Sequence, residues 1–192
     1  MSVFAYRRSP WASGALLSYD GFNRANGAVG STNGTGLLDP LPWTTQQGTM
    51  AVASNRLVGT ATVATVTCNL GTPNVDISLT LSAVDVSGIG IMCRFLDLSN
   101  YIYYNGNFNN LWQLTTRVAG APGPAILQNI GLINSAGGSV VRLVANGDNF
   151  FCWIDGVLKG TGSSTFNNTV TTHGIREQST SQQVDDWTVR VP

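Results

Sequence analysis

The chain has 192 residues, which suffices for one domain with a substantial core, and its ten basic and ten acidic side chains cancel at neutral pH. Only 10% of the residues are charged, and neither a basic cluster nor a long apolar run occurs, so we expect no nucleic-acid binding and no membrane insertion. Scarce Lys, Glu and Met beside abundant β-branched residues, Gly and Asn argue against a helical bundle.

The first 18 residues combine aromatic and basic side chains without a sustained hydrophobic period. We interpret residues 1–18 as an extended N-terminal arm and residues 19–192 as one folded domain. The side chains suited to anchoring the arm on a partner are Phe4, Tyr6, Arg7, Arg8 and Trp11. A frayed terminus is the alternative. A twin-arginine secretion signal is disfavoured, because Pro10 and Gly14 interrupt the apolar stretch that follows the arginines.

Beyond this arm, apolar and polar residues alternate with a period of two, which predicts half-buried β-strands. Strand-like runs occur at 49–53, 56–61, 64–70, 75–83, 89–96, 101–105, 112–118, 125–130, 139–146, 149–154, 170–176 and 186–191. No stretch of ten residues has a helical apolar face. Many short strands predict an all-β fold, a two-sheet antiparallel sandwich.

Turn-forming residues separate several of these runs. Asn55, Asn146-Gly147-Asp148 and Asp155-Gly156 each lie between two apolar runs and predict hairpin turns. The segment Pro122-Gly123-Pro124 predicts a loop.

The cysteine and histidine content disfavours disulfides and zinc. Cys68, Cys93 and Cys152 lie in strand-like runs, where we expect buried free thiols. His173 is the only histidine, and we expect it on the surface at the end of a strand.

Several motifs follow one another in a fixed order along residues 19–191. The series includes Asp20-Gly21-Phe22-Asn23-Arg24, Trp43, Arg94-Phe95-Leu96-Asp97, Trp153-Ile154-Asp155-Gly156 and Asp185-Asp186-Trp187. It resembles the concanavalin A-like (laminin-G-like) jelly rolls of phage virion proteins and bacterial surface proteins. The resemblance implies that the first strand, 20–24, and the last strand, 185–191, are neighbours.

That neighbourhood would bring Arg24 close to Asp185 or Asp186, where we expect a structural ion pair. The alternative is a calcium site that uses oxygens of Asp20 and Asp186, although calcium needs six or more oxygen ligands. We expect no other cofactor.

Proteins of this resembled fold bind glycans, hydrolyse them, or serve as structural and adhesive modules. The hydrolases usually carry paired glutamates on one strand, because two carboxylates must flank the scissile bond. Glu177 is the only glutamate here, and Asp185 and Asp186 are adjacent, so a strand would direct them to opposite faces. We therefore expect no enzymatic activity, and a glycoside hydrolase is the least favoured alternative.

The densest aromatic cluster runs from residue 101 to residue 112. On a strand, Tyr101 and Tyr103 share one face, while Ile102 and Tyr104 share the other. Aromatic rings stack on the apolar faces of sugars, and amides suit their hydroxyl groups. The candidate glycan-binding residues are Tyr101, Tyr103, Asn105, Asn107 and Asn109. The alternative is that the tyrosines cap the core and that residues 105–110 form a hairpin turn.

The resemblance and the interpretation of the arm together imply a phage virion protein, either a minor tail protein or a capsid decoration. In this hypothesis the arm docks on other virion proteins, the sandwich faces outward, and host surface glycans are possible partners. Assembly would take place in the host cytoplasm, with release by lysis, and we expect a homo-oligomer. The alternative is a free carbohydrate-binding module or lectin.

Overall fold

The computed structural model describes residues 14–34, 39–83, 88–106, 111–132, 137–180 and 182–192. These residues form β-strands, turns and loops, and none of them forms a helix that could cross a membrane. The expected anchoring residues Phe4, Tyr6, Arg7, Arg8 and Trp11 lie outside the described part of the chain, as do Asn107 and Asn109.

Sixteen strands are present in the described residues. In chain order they are β1 (Leu16–Asp20), β2 (Gly27–Ala28), β3 (Thr44–Gln47), β4 (Met50–Ala53), β5 (Arg56–Gly59), β6 (Ala64–Asn69), β7 (Val75–Ala83), β8 (Gly90–Asp97), β9 (Asn100–Gly106), β10 (Leu111–Val118), β11 (Ala121–Leu132), β12 (Ser139–Asn146), β13 (Asn149–Ile154), β14 (Val157–Ser163), β15 (Thr172–Glu177) and β16 (Gln183–Arg190).

The strands form two antiparallel sheets, which confirms the predicted sandwich. The nine-stranded sheet has the order β14-β13-β12-β7-β16-β5-β4-β2, and β1 also pairs with β16. The seven-stranded sheet has the order β11-β10-β9-β8-β15-β6-β3. The predicted proximity of the first and last strands is also confirmed, since Asp20 lies opposite Trp187.

The core lies between the sheets because one side chain in two points inward along most strands. Ile102 and Tyr104 of β9 belong to this core, and the Tyr104 ring contacts Trp112 edge-on at 4.8 Å between ring centroids. The Tyr104 hydroxyl donates a hydrogen bond to the carbonyl oxygen of Trp153 in the other sheet, at 3.2 Å. The three cysteines are free and buried, as predicted.

The Asp20 carboxylate accepts four hydrogen bonds where the chain turns after β1. It is completely buried, and its two oxygens accept hydrogen bonds from both terminal nitrogens of Arg24, at 2.8 and 2.9 Å. The backbone N–H of Phe22 and the indole N–H of Trp43 donate to the same carboxylate, each at 2.8 Å. The Trp43 ring in turn contacts Trp187 edge-on, which ties this hydrogen-bonded group to the core.

This arrangement corrects the expected partner of Arg24 and bears on the calcium alternative. Arg24 pairs with Asp20, four residues away, and not with Asp185 or Asp186. The four donors around Asp20 also occupy the oxygens that a calcium ion would need, while Asp186 accepts a hydrogen bond from the Tyr19 hydroxyl. Among the described residues, no three His, Cys, Asp or Glu side chains converge as metal ligands.

Strand boundaries differ from the sequence pattern at both ends of the chain. β1 covers Leu16–Asp20 and not 20–24, so the sandwich begins within the segment 1–18 that was assigned to the arm. In β16, Asp186 has a φ of 50° within a bulge. As a result Val184 and Trp187, three residues apart, both point into the core. A bulge inserts an extra residue and therefore breaks simple alternation.

A further expectation, the loop at residues 122–124, is wrong. Pro122-Gly123-Pro124 lies inside β11, and the chain turns instead at Ala119 and Gly120, which both have positive φ. β11 is an edge strand, where missing N–H donors are tolerated.

The predicted hairpin turns at Asn55, Gly147 and Asp155-Gly156 are confirmed, each with positive φ.

His173 is completely buried in β15, not on the surface as expected. The Arg94 backbone N–H points at Nδ1 from 3.4 Å, and Nε2 lies 3.0 Å from the carbonyl oxygen of Thr72. Burial lowers the pKa of His173 to about 4, so the ring is neutral at pH 7.

We expect Asp20→Ala to lower the free energy of unfolding by about 3–5 kcal/mol, because it leaves a partly buried guanidinium and a buried indole N–H without their acceptor. Urea denaturation measures the change. Asp39→Ala removes an exposed carboxylate and is the matched control, expected to shift stability by less than about 0.5 kcal/mol. Equal stabilities of the two variants would contradict the structural role of Asp20.

Candidate functional site

A cavity of about 340 Å³ opens on the face of the seven-stranded sheet that points away from the core. β9 and β10 supply part of its lining, and the edge strand β11 and the end of β15 supply the rest. The polar lining residues include Asn105, Gln113, Thr115, Arg117, Gln128, Arg176 and Gln178. The volume lies in the range of small-molecule sites, although near its lower end.

Tyr101 and Tyr103 line the cavity from β9, on the face opposite Ile102 and Tyr104, as the alternation predicted. Both are well buried, at 3% and 5% exposure, and they pack with Met92 and Phe95 in a cluster separate from the main core. They form the base of the cavity and not a free-standing aromatic platform.

The contacts of each tyrosine limit what it can offer a ligand. The Tyr101 ring stacks on Phe95, with 6.0 Å between centroids, and the Arg176 guanidinium lies 5.7 Å from the centroid of Tyr103. The Tyr103 hydroxyl lies within hydrogen-bond distance of the carbonyl oxygens of Gly88 and Arg176 and donates to one of them. Burial raises the pKa of Tyr103, so this hydroxyl stays protonated.

Asn105 has the clearest unused hydrogen-bonding capacity in the cavity lining. The residue is buried, with 7% of its surface exposed, and Nδ2 donates a hydrogen bond to the carbonyl oxygen of Gly106 at 2.9 Å. Oδ1 is buried and accepts no hydrogen bond from the described residues. A buried acceptor without a donor is costly, and among the described lining residues Asn105 is the one whose amide retains this unused capacity.

Two arginines give the cavity a positive character. Arg117 on β10 lies opposite Tyr101 in the strand register, and its Nε is buried without a hydrogen-bond partner among the described residues. Arg176 on β15 lies opposite Gly90, which in turn lies opposite Asn105. Of the described residues that line the cavity, none is Asp or Glu.

Glu177 lies between two cavity-lining residues in sequence but points the other way, into the space between the sheets. It is completely buried, and the Gly59 backbone N–H, from the nine-stranded sheet, donates to Oε2 at 2.5 Å. Oε1 has no partner among the described residues. Burial raises the pKa of Glu177 to about 8, so the carboxyl is mostly protonated at pH 7.

The sequence identified three of the described cavity residues, Tyr101, Tyr103 and Asn105, and missed the others. Gln113, Thr115 and Arg117 carried a usable signal, because they are the polar positions of an alternating strand close in sequence to β9. Arg176 and Gln178 carried none, since only the sheet order brings β15 near β9.

No protein-family model matches the chain, and no curated protein matches it in sequence. Solved structures with a similar fold include the carbohydrate-binding module CBM66 from Bacillus subtilis, at 17% identity and a TM-score of 0.62, over 77% of this chain and 94% of that one. Domain 4 of AbnA, an extracellular GH43 arabinanase from Geobacillus stearothermophilus in complex with arabinotriose, is 14% identical with a TM-score of 0.65, over 94% of both chains.

A β-glucanase from Bacillus licheniformis is also similar in structure, at 12% identity and a TM-score of 0.59, over 94% of this chain and 100% of that one. At such identities the likeness concerns the fold. It confirms the concanavalin A-like jelly roll that the motif series implied.

We expect Glu177→Gln to flatten the pH dependence of stability between about pH 4.5 and pH 8. In the native chain the folded state keeps its proton up to about pH 8, whereas the unfolded state loses it near pH 4.5. The stabilising contribution of this group is therefore full below pH 4.5 and is lost as the pH rises through this window. Glutamine retains an oxygen that can accept from Gly59.

Urea denaturation at pH 6.5, 7.3 and 8.0 measures this effect, and the ionisation of His173 in the unfolded state contributes equally to the native chain and to the variant. The stability gained by Glu177→Gln over the native chain should grow across these three pH values. Asp39→Asn, at an exposed carboxylate, should leave the pH profile unchanged. Parallel profiles for the native chain and Glu177→Gln would show that Glu177 ionises normally in the folded protein.

Proposed function

We propose that this chain is a non-catalytic, lectin-like carbohydrate-binding module, and that the cavity on the outer face of the seven-stranded sheet is its binding site. The observation that carries the proposal is Asn105, a residue of the cavity lining whose buried Oδ1 has no donor among the described residues. A sugar hydroxyl is a donor and an acceptor at once, so it can donate to this oxygen and accept from a neighbouring donor.

The remaining lining suits the same class of ligand. Side-chain amides are contributed by Gln113, Gln128 and Gln178, and a hydroxyl by Thr115. Such neutral groups, each with donors and acceptors, match the ring of hydroxyls on a sugar better than they match an apolar ligand. The tyrosine side chains at the base add apolar surface that sugar C–H groups can contact.

The arrangement of carboxylates supports a binding role and not catalysis. Hydrolysis of a glycosidic bond ordinarily needs two carboxyl groups on either side of it, about 5–10 Å apart. None of the described lining residues is acidic, and Glu177 is directed between the sheets. The structural neighbours are compatible with this role, since they include a carbohydrate-binding module and an arabinanase domain solved with arabinotriose, although a β-glucanase is among them.

Binding to an oligosaccharide array, followed by calorimetric titration of the saccharides that bind, tests the proposal. We expect Asn105→Ala to weaken binding by about three- to tenfold, because it removes one hydrogen bond to the sugar. Asn149→Ala, at an exposed asparagine on the nine-stranded sheet, is the matched control and should bind like the native chain.

Binding that is unchanged by Asn105→Ala would place the sugar elsewhere, and an array without any bound saccharide would reject the carbohydrate-binding role. Mass spectrometry of each saccharide recovered after titration should find it intact. Cleavage products that form in proportion to protein concentration would overturn the non-catalytic assignment.

We further propose that the module is displayed on a phage particle, with the segment before the sandwich as its anchor. The support is the motif series together with the aromatic and arginine content of residues 1–13. This segment enters the sandwich at Gly14, whose carbonyl lies 3.4 Å from an Arg190 guanidinium nitrogen, beside the pairing of Ala15 with Val191. It can therefore be removed without cutting into β1.

Deletion of residues 2–13 should abolish incorporation into particles while the sandwich still folds and binds its saccharide. A deletion through residue 18 is unsuitable, because it would remove most of β1. Particle-associated protein is measured by immunoblot of purified virions, with the thermal melting temperature as the folding control. Incorporation at the native level would overturn the anchoring role.

A further inference from the structure

We infer that the ligand of this cavity is an acidic oligosaccharide, with carboxylate groups bound by Arg117 and Arg176. This inference rests on the proposed carbohydrate-binding function and adds the chemical class of the sugar. A guanidinium binds a carboxylate through two parallel hydrogen bonds, which makes arginine the preferred side chain for this group.

The first argument is that both arginines lack an acidic partner. Elsewhere in the described chain, Arg24 forms an ion pair with Asp20, and Arg142 forms one with Asp76 at 2.6 Å. Neither Arg117 nor Arg176 is within 4.0 Å of a described carboxylate. With 10% charged residues in the whole chain, two unpaired guanidiniums in one cavity are a marked local excess of positive charge.

The second argument concerns the surroundings of each guanidinium. Arg117 has a buried Nε–H that donates to no described acceptor, so its desolvation is not compensated within the protein. Arg176 lies over the ring of Tyr103, which holds the guanidinium at the cavity and leaves its charge unneutralised. A ligand carboxylate would give each of these guanidiniums the anionic partner that the described chain does not provide.

The third argument is the spacing of the two strands. β10 and β15 are separated by β9 and β8, which corresponds to three interstrand spacings or about 14 Å. The two arginines therefore approach the cavity from opposite sides of β9. Because the two arginines come from different strands, an oligosaccharide with acidic groups on more than one sugar unit can engage both of them, and this is the ligand that we infer.

Titration calorimetry with matched probes tests the inference. The acidic probes are trimers of galacturonate, mannuronate and glucuronate-containing units, together with each monomer. The neutral probes are the same trimers after reduction of their carboxyl groups to alcohols. We expect at least one acidic trimer to bind about tenfold or more tightly than its neutral counterpart and its monomer. The affinity of this trimer should fall when the salt concentration of the assay is raised from about 50 to about 500 mM.

We expect Arg117→Gln and Arg176→Gln each to weaken binding of that trimer by about tenfold, and to leave binding of its neutral counterpart nearly unchanged. Arg56→Gln is the matched control, because it removes an equal charge from an exposed position on the nine-stranded sheet, where the guanidinium contacts Gln183. Circular dichroism and thermal melting verify that each variant is folded, and Arg117→Gln tests the inference even if loss of Arg176 disturbs Tyr103.

The outcomes separate this inference from the proposed function. If a neutral saccharide from the array or the reduced series binds as tightly as its acidic form, and loses affinity in Asn105→Ala but not in the arginine variants, the carbohydrate-binding role stands and the acidic specificity is overturned. If the monomer binds as tightly as the trimer, the inference that Arg117 and Arg176 bind acidic groups on different sugar units is overturned. If no saccharide of either series or of the array binds, both proposals fail.

Discussion

Alternation of side chains along the strands of the seven-stranded sheet is the constraint on which both the core and the candidate site depend. In β9, Ile102 and Tyr104 enter the core between the sheets, whereas Tyr101, Tyr103 and Asn105 face the cavity. A shift of one residue in pairing would exchange these two sets and expose the core residues to water. The hydrophobic requirement that fixes the register thereby also fixes which polar groups reach the cavity.

Polar interactions determine how the beginning of the chain joins this scaffold. The buried Asp20 carboxylate collects donors from Arg24, Phe22 and Trp43, so a segment with few regular strand contacts is still held in place. Such a group is compatible with burial because its oxygens are fully hydrogen-bonded and its charge is paired. The opening motif of the chain is therefore explained by structure, and its residues have no contact with the cavity.

The same alternation separates a basic side chain from an acidic one at the end of β15. Arg176 faces the cavity, while the next residue, Glu177, lies between the sheets and contacts Gly59. The carboxyl is consequently remote from any ligand in the cavity and mostly protonated at pH 7, since burial raises its pKa to about 8. The outer face retains cationic and amide groups, which suit recognition of a hydroxylated, acidic ligand more than cleavage of it.

The sequence by itself determined most of the strands, the hairpin turns and the two faces of β9, because these depend on local periodicity and on turn residues such as Asn55 and Gly147. It also pointed to Tyr101, Tyr103 and Asn105. Only the tertiary structure decided that Arg24 pairs with Asp20, that His173 is buried, and that Arg176 joins Arg117 at one cavity. The burial of His173 and the meeting of the two arginines depend on the order of strands distant in sequence, which no local pattern encodes. The Arg24–Asp20 pair is local, but it depends on how the chain turns after β1.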